Sequence, residues 1–364
     1  MQVTLTGGTG FLGLRLVREL VNQNCSVSLL SRGGRISAVD RIALALGRLG
    51  ETPDFIQKFH RCADEVAIDI ERPLFGLADD QVEKLVRRTD MFLHSAGVID
   101  LNTGAQAIRP VNVTGTQNFL DIASRSPHGA PFCYVSTAFV AGARRDGTVT
   151  EADLIDTYGF ENEYERSKYD AESLVHRWTR ETGMPMLIMR PSILLTDRAP
   201  IAGLPTHPLQ IISSLLRAGA IERGVSRLSI PRGLRPVVHL KGQPDARLNC
   251  LPVEEAARAI VSIAAEHRSA AGQTYHIVHP DDVSAPTLVE LFEKFAPVRL
   301  VLGPELPKKL SPVEQRFHSY PGFGAYFRHT RVFDDHNARR FLGGPCSRTT
   351  VDMAYLLAGT QEVR

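Results

Sequence analysis

Residues 2–30, QVTLTGGTGFLGLRLVRELVNQNCSVSLL, decide how the rest of the chain is read. QVTLT (2–6) alternates as a strand does, GGTGFLG (7–13) is a glycine turn, LRLVRELVNQN (14–24) has the spacing of an amphipathic helix, and SVSLL (26–30) is a second strand. Strand, turn, helix and strand make one βαβ unit. In that context Gly7 and Gly10 allow the backbone to approach a pyrophosphate, and Gly13 allows the helix to pack close to the turn. Thr6, Phe11 and Leu12 complete the expected dinucleotide loop.

The second strand runs into SRGGR, so Ser31 and Arg32 stand where an acidic residue would bind a ribose 2′-hydroxyl. A guanidinium there suits a 2′-phosphate, which makes NADPH the expected cofactor, held by Arg32 with help from Arg35. Further on, Asp69 and Ile70 close the segment EVAIDI (65–70), read as the third strand, and stand where an adenine amino group and ring would be met.

The same alternation continues outward. Ile36, Val39, Ile42, Leu46 and Leu49 describe a helix, MFLHSAG (91–97) a fourth strand, VNVTGTQNFLDIAS (111–124) a helix and PFCYVSTAFV (131–140) a fifth strand. EYERSKYDAESLVHRWTRETG (163–183) reads as a long helix ending at glycine, followed by the strand MPMLIMRPS. The expected fold is therefore α/β, a doubly wound parallel sheet of Rossmann type. Past about residue 196 the alternation breaks. This places a nucleotide-binding domain at 1–196 and a smaller C-terminal substrate lobe at 197–364, with returns to the first lobe around 248–280. Internal repeats and low-complexity tracts are absent from the sequence.

Composition narrows the function classes. With 42 basic and 40 acidic side chains the formal charge is +2, too little for a polyanion partner held by bulk electrostatics, so no nucleic acid is expected. The five cysteines show neither pairing nor C-x-x-C spacing, which fits a reducing, cytoplasmic setting. The N-terminus has no signal-peptide pattern, and apolar runs stop well short of the ~20 residues a membrane helix needs. The twelve histidines lack H-x-x-x-H spacing, so no metal is expected, and His94 is read as packing beside the cofactor.

Chemistry concentrates in YERSK. Tyr164 and Lys168 lie four apart on one face of a helix, where an ammonium lowers a phenol from its usual pKa of ~10 and makes it a usable acid. Thr137, at the carboxyl end of the fifth strand, offers a hydroxyl beside it. Tyrosine and lysine at this spacing are common in structural helices; it is the preceding nucleotide fold that gives the pair meaning.

In the order TGGTGFLG, HSAG, NVTGT, YVSTAFVAG, YERSK and MRPSI, the chain resembles the extended short-chain dehydrogenases/reductases over nearly its whole length. Within them it is most similar to thioester reductases, the terminal modules of carboxylic acid reductases and peptide synthetases, and to the fatty acyl-CoA reductases. LLSRGGRISAVDRIALALGRLG, YERSKYDAE, LPVEEAARAIVSIA and GQTYHIVHP carry that closer likeness. The resemblance implies a catalytic set of Thr137, Tyr164 and Lys168, with Ser136 a neighbouring alternative to Thr137. It implies cofactor contacts from Ser95, Ala96, Gly97 and Asn112, and nicotinamide contacts around Arg190, Pro191 and Ser192.

The expected activity is reduction of an acyl thioester, on coenzyme A or on a separate carrier protein, to an aldehyde and onward to an alcohol if a second hydride follows. Phe323, Tyr326 and Phe327 are candidates to line an acyl channel, and Arg328, His329 and Arg331 to meet a pantetheine phosphate or a carrier surface. Trp178 reads as a packing anchor. Two rivals share the nucleotide residues: a nucleotide-sugar epimerase, dehydratase or small-carbonyl dehydrogenase, and a catalytically silent NADP(H) sensor. Arg32 and the TAFVAG ending count against the epimerase, and the retained tyrosine and lysine count against the sensor. A homodimer is left open.

Overall fold

Seven short strands pair side by side, all parallel, and their order follows from two right-handed windings that start at the middle of the sheet. They are β1 (Gln2–Thr6), β2 (Ser26–Ser31), β3 (Ala63–Ala67), β4 (Met91–His94), β5 (Phe132–Val135), β6 (Met186–Pro191) and β7 (Gln273–Ile277). Their order across the sheet is β7-β6-β5-β4-β1-β2-β3. Chain direction reverses its winding between β1 and β4, whose residues Val3 to Thr6 lie opposite Met91 to His94. Ligands of open α/β sheets bind in the crevice at the carboxyl ends of such strands. This computed structural model describes residues 1–100, 104–222, 231–266, 270, 272–318 and 323–361.

Both faces of the sheet are covered, which is why β4, β5 and most of β6 read as near-continuous apolar runs. On one face lie α1 (Phe11–Asn22), α2 (Ala38–Arg48) and α3 (Pro53–Cys62), with Leu16, Val17, Leu20, Ile42, Leu46 and Phe59 buried. On the other lie α4 (Asp79–Arg88), α5 (Gly115–Ala123) and α6 (Glu163–Thr182), whose Val82, Phe119, Ile122, Val175 and Trp178 pack onto Phe92, Phe132 and Ile188. Trp178 is thus the packing anchor its position suggested, with its indole N–H donated to Ser124 at 2.7 Å.

Local chemistry shifts several element boundaries. β3 starts earlier and stops earlier than EVAIDI. Thr52 caps α3, a helix the sequence reading missed, and its last turn feeds directly into Ala63. The fifth strand ends at Val135, not at Val140, because the Thr137 hydroxyl accepts a bond from Phe139 N–H and starts a 3-10 turn over Ala138–Ala141. The helix expected at 111–124 begins at Ala105 and passes through a π turn at Pro110–Thr114, a proline being unable to donate into an α ladder.

Two later segments come back to the sheet. Val253–Ala265 forms α7 and leads into β7, which lies beside β6. His336–Leu342 forms α8, which packs beside β7 and α7. Between and after these segments is a second core, built from Leu240, Leu248, Leu288, Leu291, Phe292 and Leu300 with helices Pro208–Glu222, Ala285–Glu293 and Met353–Thr360 around it. A buried carboxylate joins the returns. Glu151 accepts backbone N–H bonds from His276 at 2.8 Å, Asn337 at 2.6 Å and Ala338 at 3.2 Å, capping α8 and pinning it to the sheet edge. No helix among the described residues is long and apolar enough to cross a membrane.

Glu151→Ala would leave three inward-facing N–H groups without an acceptor. At about 1–3 kcal/mol for an unsatisfied buried donor, the expected loss of stability is about 2–4 kcal/mol, read by chemical denaturation. A loss below about 0.5 kcal/mol would show that water replaces the carboxylate at no cost.

Candidate active site

The glycine turn after β1 forces its own composition. Gly7 has φ +77°, and a Cβ there would lie 2.5 Å from Ala96 N; a Cβ on Gly13 would lie 1.9 Å from Gly7 O. No side chain caps the N-terminus of α1, and no acid stands in its first turn, so its backbone donors and partial positive charge are left for an anion. Arg15 lies 4.7 Å over the Phe11 ring, and the His207 ring lies 5.7 Å from it, so Phe11 packs between these two side chains. Leu12 packs toward the core. The Thr6 hydroxyl is engaged by His94 Nδ1 at 2.6 Å and by Ala96 N–H at 3.3 Å. His94 is fully buried, and burial, with Lys168 adding to it, holds its imidazole at about 3, a neutral core residue between Thr6 and Thr116.

Beyond β2, Arg32 and Arg35 are exposed, and Arg32 has no hydrogen bond or ion pair among the described residues. Glu65, across on β3, is committed elsewhere: it accepts from Ser31 Oγ at 2.5 Å and from Ala38 N–H at 2.8 Å, at the start of α2. The turn is thus able to take a phosphate. Asp69 is exposed and accepts from Glu71 N–H at 3.1 Å in a tight turn after β3. Ile70 is buried under Gly115, where a Cβ would meet it at 2.8 Å.

Ser95, Ala96 and Gly97 form the loop after β4, beside the glycine turn. Asn112 holds that loop in place. Its Oδ1 accepts Val98 N–H at 2.8 Å, while Nδ2 donates to Val98 O at 3.1 Å and to Ser167 Oγ at 2.9 Å. One amide thereby ties the loop to the helix that carries Tyr164 and Lys168.

At the carboxyl ends of β5 and β6 the remaining candidates converge. Thr137 Oγ1 donates to Pro191 O at 3.3 Å and lies near enough to the Tyr164 phenol to lower its pKa. Ser192 presents a buried hydroxyl with no partner among the described residues. Ser136, by contrast, gives its hydroxyl to Glu172 Oε2 at 2.5 Å, on the inner side of the strand, so of the two neighbours it is Thr137 that reaches the phenol.

Burial pushes the Tyr164 phenol up to about 12; the Thr137 hydrogen bond opposes this and Glu165 adds to it. Lys168 does not bring the phenol down as its spacing suggested. Its ammonium donates to Val135 O at 2.6 Å and lies 4.2 Å over the Tyr134 ring, and burial lowers it to about 7 despite Glu172.

Two acids beside the site were given no role from the sequence, although Glu172 closes the YERSKYDAE signature. Burial alone would raise Glu172, but Arg190, helped by His176 and Ser136, holds it at about 2. The pair is bidentate, with Arg190 Nη2 at 2.6 Å and Nε at 3.1 Å from Glu172 Oε1. Arg190 is therefore spent inside the fold, and of its segment only Pro191 and Ser192 border the Thr137 side. Glu165, on the turn after Tyr164, is fully buried and accepts from Tyr326 Oη at 2.8 Å and Glu161 N–H at 2.9 Å. Burial raises it to about 7. A signal existed: Glu172 lies four residues past Lys168, and an arginine in an apolar strand demands an acid.

Phe327 is buried in the second core and Tyr326 is committed to Glu165; the Phe323 side chain lies outside the described ones. His329 and Arg331 are buried and so form no carrier surface, and Arg328 is paired with Glu161 at 2.6 Å.

Comparison with known proteins places this geometry. The profile of the NAD-binding family described as Male sterility protein matches residues 5–260. The nonribosomal peptide synthetase asaC of Aspergillus flavus is 27% identical over 292 residues, 76% of this chain and 26% of that protein. The isonitrile lipopeptide synthase of Mycobacterium tuberculosis is 29% identical over 306 residues, 77% of this chain and 12% of that protein. The chain thus spans about a quarter or less of these relatives. The terminal R domain from the myxalamid PKS-NRPS biosynthetic pathway superposes with a TM-score of 0.74 at 25% identity, over 98% of this chain and 89% of that one.

The raised Glu165 has a consequence for stability. In the folded protein it keeps a proton to about pH 7, whereas the unfolded carboxyl releases it near 4.5. The folded state binds more protons in that window, so this group's contribution falls as pH rises from about 4.5 to 7. Glu165→Gln should flatten the slope of melting temperature against pH between about 5 and 7; an unchanged slope would mean the carboxyl is ionised throughout.

Proposed function

This chain belongs to the NAD-binding family described as Male sterility protein, as a thioester reductase type of extended short-chain dehydrogenase/reductase, and on that premise we propose that it reduces an acyl thioester with NADPH. Reductases of this family are oxidoreductases. The finer reading, carrier- or coenzyme A-bound acyl groups released as aldehyde, rests chiefly on one observation: the Thr137 hydroxyl lies close to the Tyr164 phenol, beside the strand ends on the same edge of the sheet as the glycine turn.

The residues present fit the dinucleotide. Gly7, Gly10 and Gly13 and the open N-terminus of α1 would cradle its pyrophosphate, with Arg32 at the 2′-phosphate and the 95–97 loop along its middle. When bound, the cofactor supplies a hydride. The chain's part is to hold the thioester carbonyl oxygen between Thr137 and Tyr164 and to place a proton on it as the carbonyl carbon gains hydrogen. A phenol that stays protonated to about pH 12 is an acid and hydrogen-bond donor at neutral pH, and so suits that oxygen. The carbon–sulfur bond then breaks, the thiol leaving with a proton and the carbonyl re-forming as an aldehyde. Lys168, Asn112 and Ser192 position the groups around the reacting carbon. A separate carrier protein is the proposed partner where the acyl group is tethered.

Tyr164→Phe should lower thioester-dependent NADPH oxidation by at least about 100-fold while NADPH binding, followed by fluorescence, stays within about two-fold. Activity surviving in this variant would move the proton donor elsewhere. Arg32→Glu should lower kcat/KM for NADPH by about ten-fold or more with little loss for NADH; an equal fall for both would remove Arg32 from 2′-phosphate binding.

A further inference from the structure

The C-terminal segment around 326–333 closes a small pocket over the 3-10 turn that follows Thr137. It has room for about 10 Å³, the space of one water molecule, between the apolar walls Phe139, Leu248 and Phe333 and the polar side chains of Arg247, His329 and Arg331. Phe139 N–H is the group bonded to Thr137 Oγ1 at 3.2 Å, so the pocket adjoins the place where the thioester carbonyl would sit.

Two buried nitrogens of its lining residues lack partners among the described residues. Arg331 is 3% exposed; its Nη1 donates to Gly142 O at 2.5 Å and to Arg144 O at 2.7 Å, while Nη2 has no acceptor among the described residues. His329 is 2% exposed; its Nε2 lies 3.0 Å from Glu161 Oε1, while Nδ1 has no partner among the described residues. The nearby acids do not fill these vacancies, since Glu161 serves Arg328 and His329, and Glu165 serves Tyr326 and Glu161 N–H.

The two unpaired atoms have opposite character. Arg331 Nη2 is a donor under all conditions. Burial raises Glu161, but His329 and Arg328 outweigh it and keep it an ionised acceptor, so His329 Nε2 carries the ring proton toward it. Burial also lowers the His329 pKa, which leaves Nδ1 as a bare lone pair. A guest that bridges them would accept from Arg331 and donate to His329. A carboxylate lacks the proton and a methyl group lacks both functions; a hydroxyl has each.

We propose that this pocket receives a hydroxyl group carried on the acyl chain, making the substrates hydroxyacyl thioesters, with Arg331 and His329 as the residues that select them. The proposal rests on the thioester reading of the neighbouring site. A site built to hydrogen-bond a hydroxyl discriminates strongly against the analogue without one, because its own buried groups are then left unpaired.

The test uses hexanoyl-pantetheine, the five derivatives bearing one hydroxyl at carbon 2 to carbon 6, and their methyl ethers. Binding to NADP+-loaded protein is measured by calorimetry, where no reduction occurs, and turnover is then followed with NADPH. At least one hydroxy compound should bind about ten-fold or more tightly than hexanoyl-pantetheine and its own methyl ether. Arg331→Met should bring that ratio within about two-fold. Because Arg331 also tethers two carbonyls, Leu248→Phe, which fills the pocket from its apolar wall, is run beside it with the same expectation; wild-type selectivity decides if neither variant folds. Equal binding of hydroxylated and plain chains to the wild type, or selectivity that survives both variants, overturns the proposal and leaves the pocket a water site. Selective binding without turnover of any thioester would retain the pocket and remove the reductase reading, and turnover without selectivity would do the reverse.

Discussion

The buried ion pair between Glu172 and Arg190 is the contact on which the geometry of the site depends. Glu172 comes from the helix that carries Tyr164 and Lys168, and Arg190 from the strand that ends in Pro191 and Ser192, so the pair fixes the spacing between the two halves of the candidate site. Both side chains are almost wholly removed from water, 0% and 1% exposed, and such a pair holds only when its remaining polar atoms are satisfied. They are: Ser136 donates to Glu172, while Arg190 Nη1 reaches Glu151 O at 3.4 Å and His276 Nε2 at 3.4 Å. Removing one partner would leave a buried charge, at a cost of about 3–5 kcal/mol.

The network extends the constraint across the molecule. Glu151 caps the last helix to return to the sheet, so the edge strand, the C-terminal segment and the strand ends at the site share one set of buried hydrogen bonds. Charge inside the fold is arranged in two compartments. Lys168, Glu172 and Arg190 form one group at the strand ends; Glu161, Arg328 and Arg331 form another beside Phe139, with Glu165 bonded to Tyr326. Burial of the Tyr164 phenol outweighs the Thr137 hydroxyl beside it and keeps it protonated.

Much of this was legible from residue order. The glycine turn requires glycine for reasons visible in the chain: a positive φ at position 7 and no room for a Cβ at 13. Apolar periodicity located most of the sheet strands to within a few residues, but it missed α3 and α4. Boundaries were misplaced where a single side chain intervened, as with the Thr137 hydroxyl ending β5 and the proline turning a helix through a π turn. Side-chain commitments were invisible. Nothing in MRPS says that the arginine points inward to an acid eighteen residues earlier, or that Ser136 and Thr137, adjacent in sequence, face opposite ways.

By itself the sequence determined the parallel doubly wound sheet, the dinucleotide turn and the spacing of Tyr164 and Lys168, because local backbone limits and a 3.6-residue period act on neighbouring residues. Only the tertiary structure decided which polar groups are spent within the fold and which are left to meet a ligand. Desolvation, the strongest influence on Tyr164, Lys168, Glu165 and Arg331, depends on what distant segments pack above them, and no local pattern encodes that.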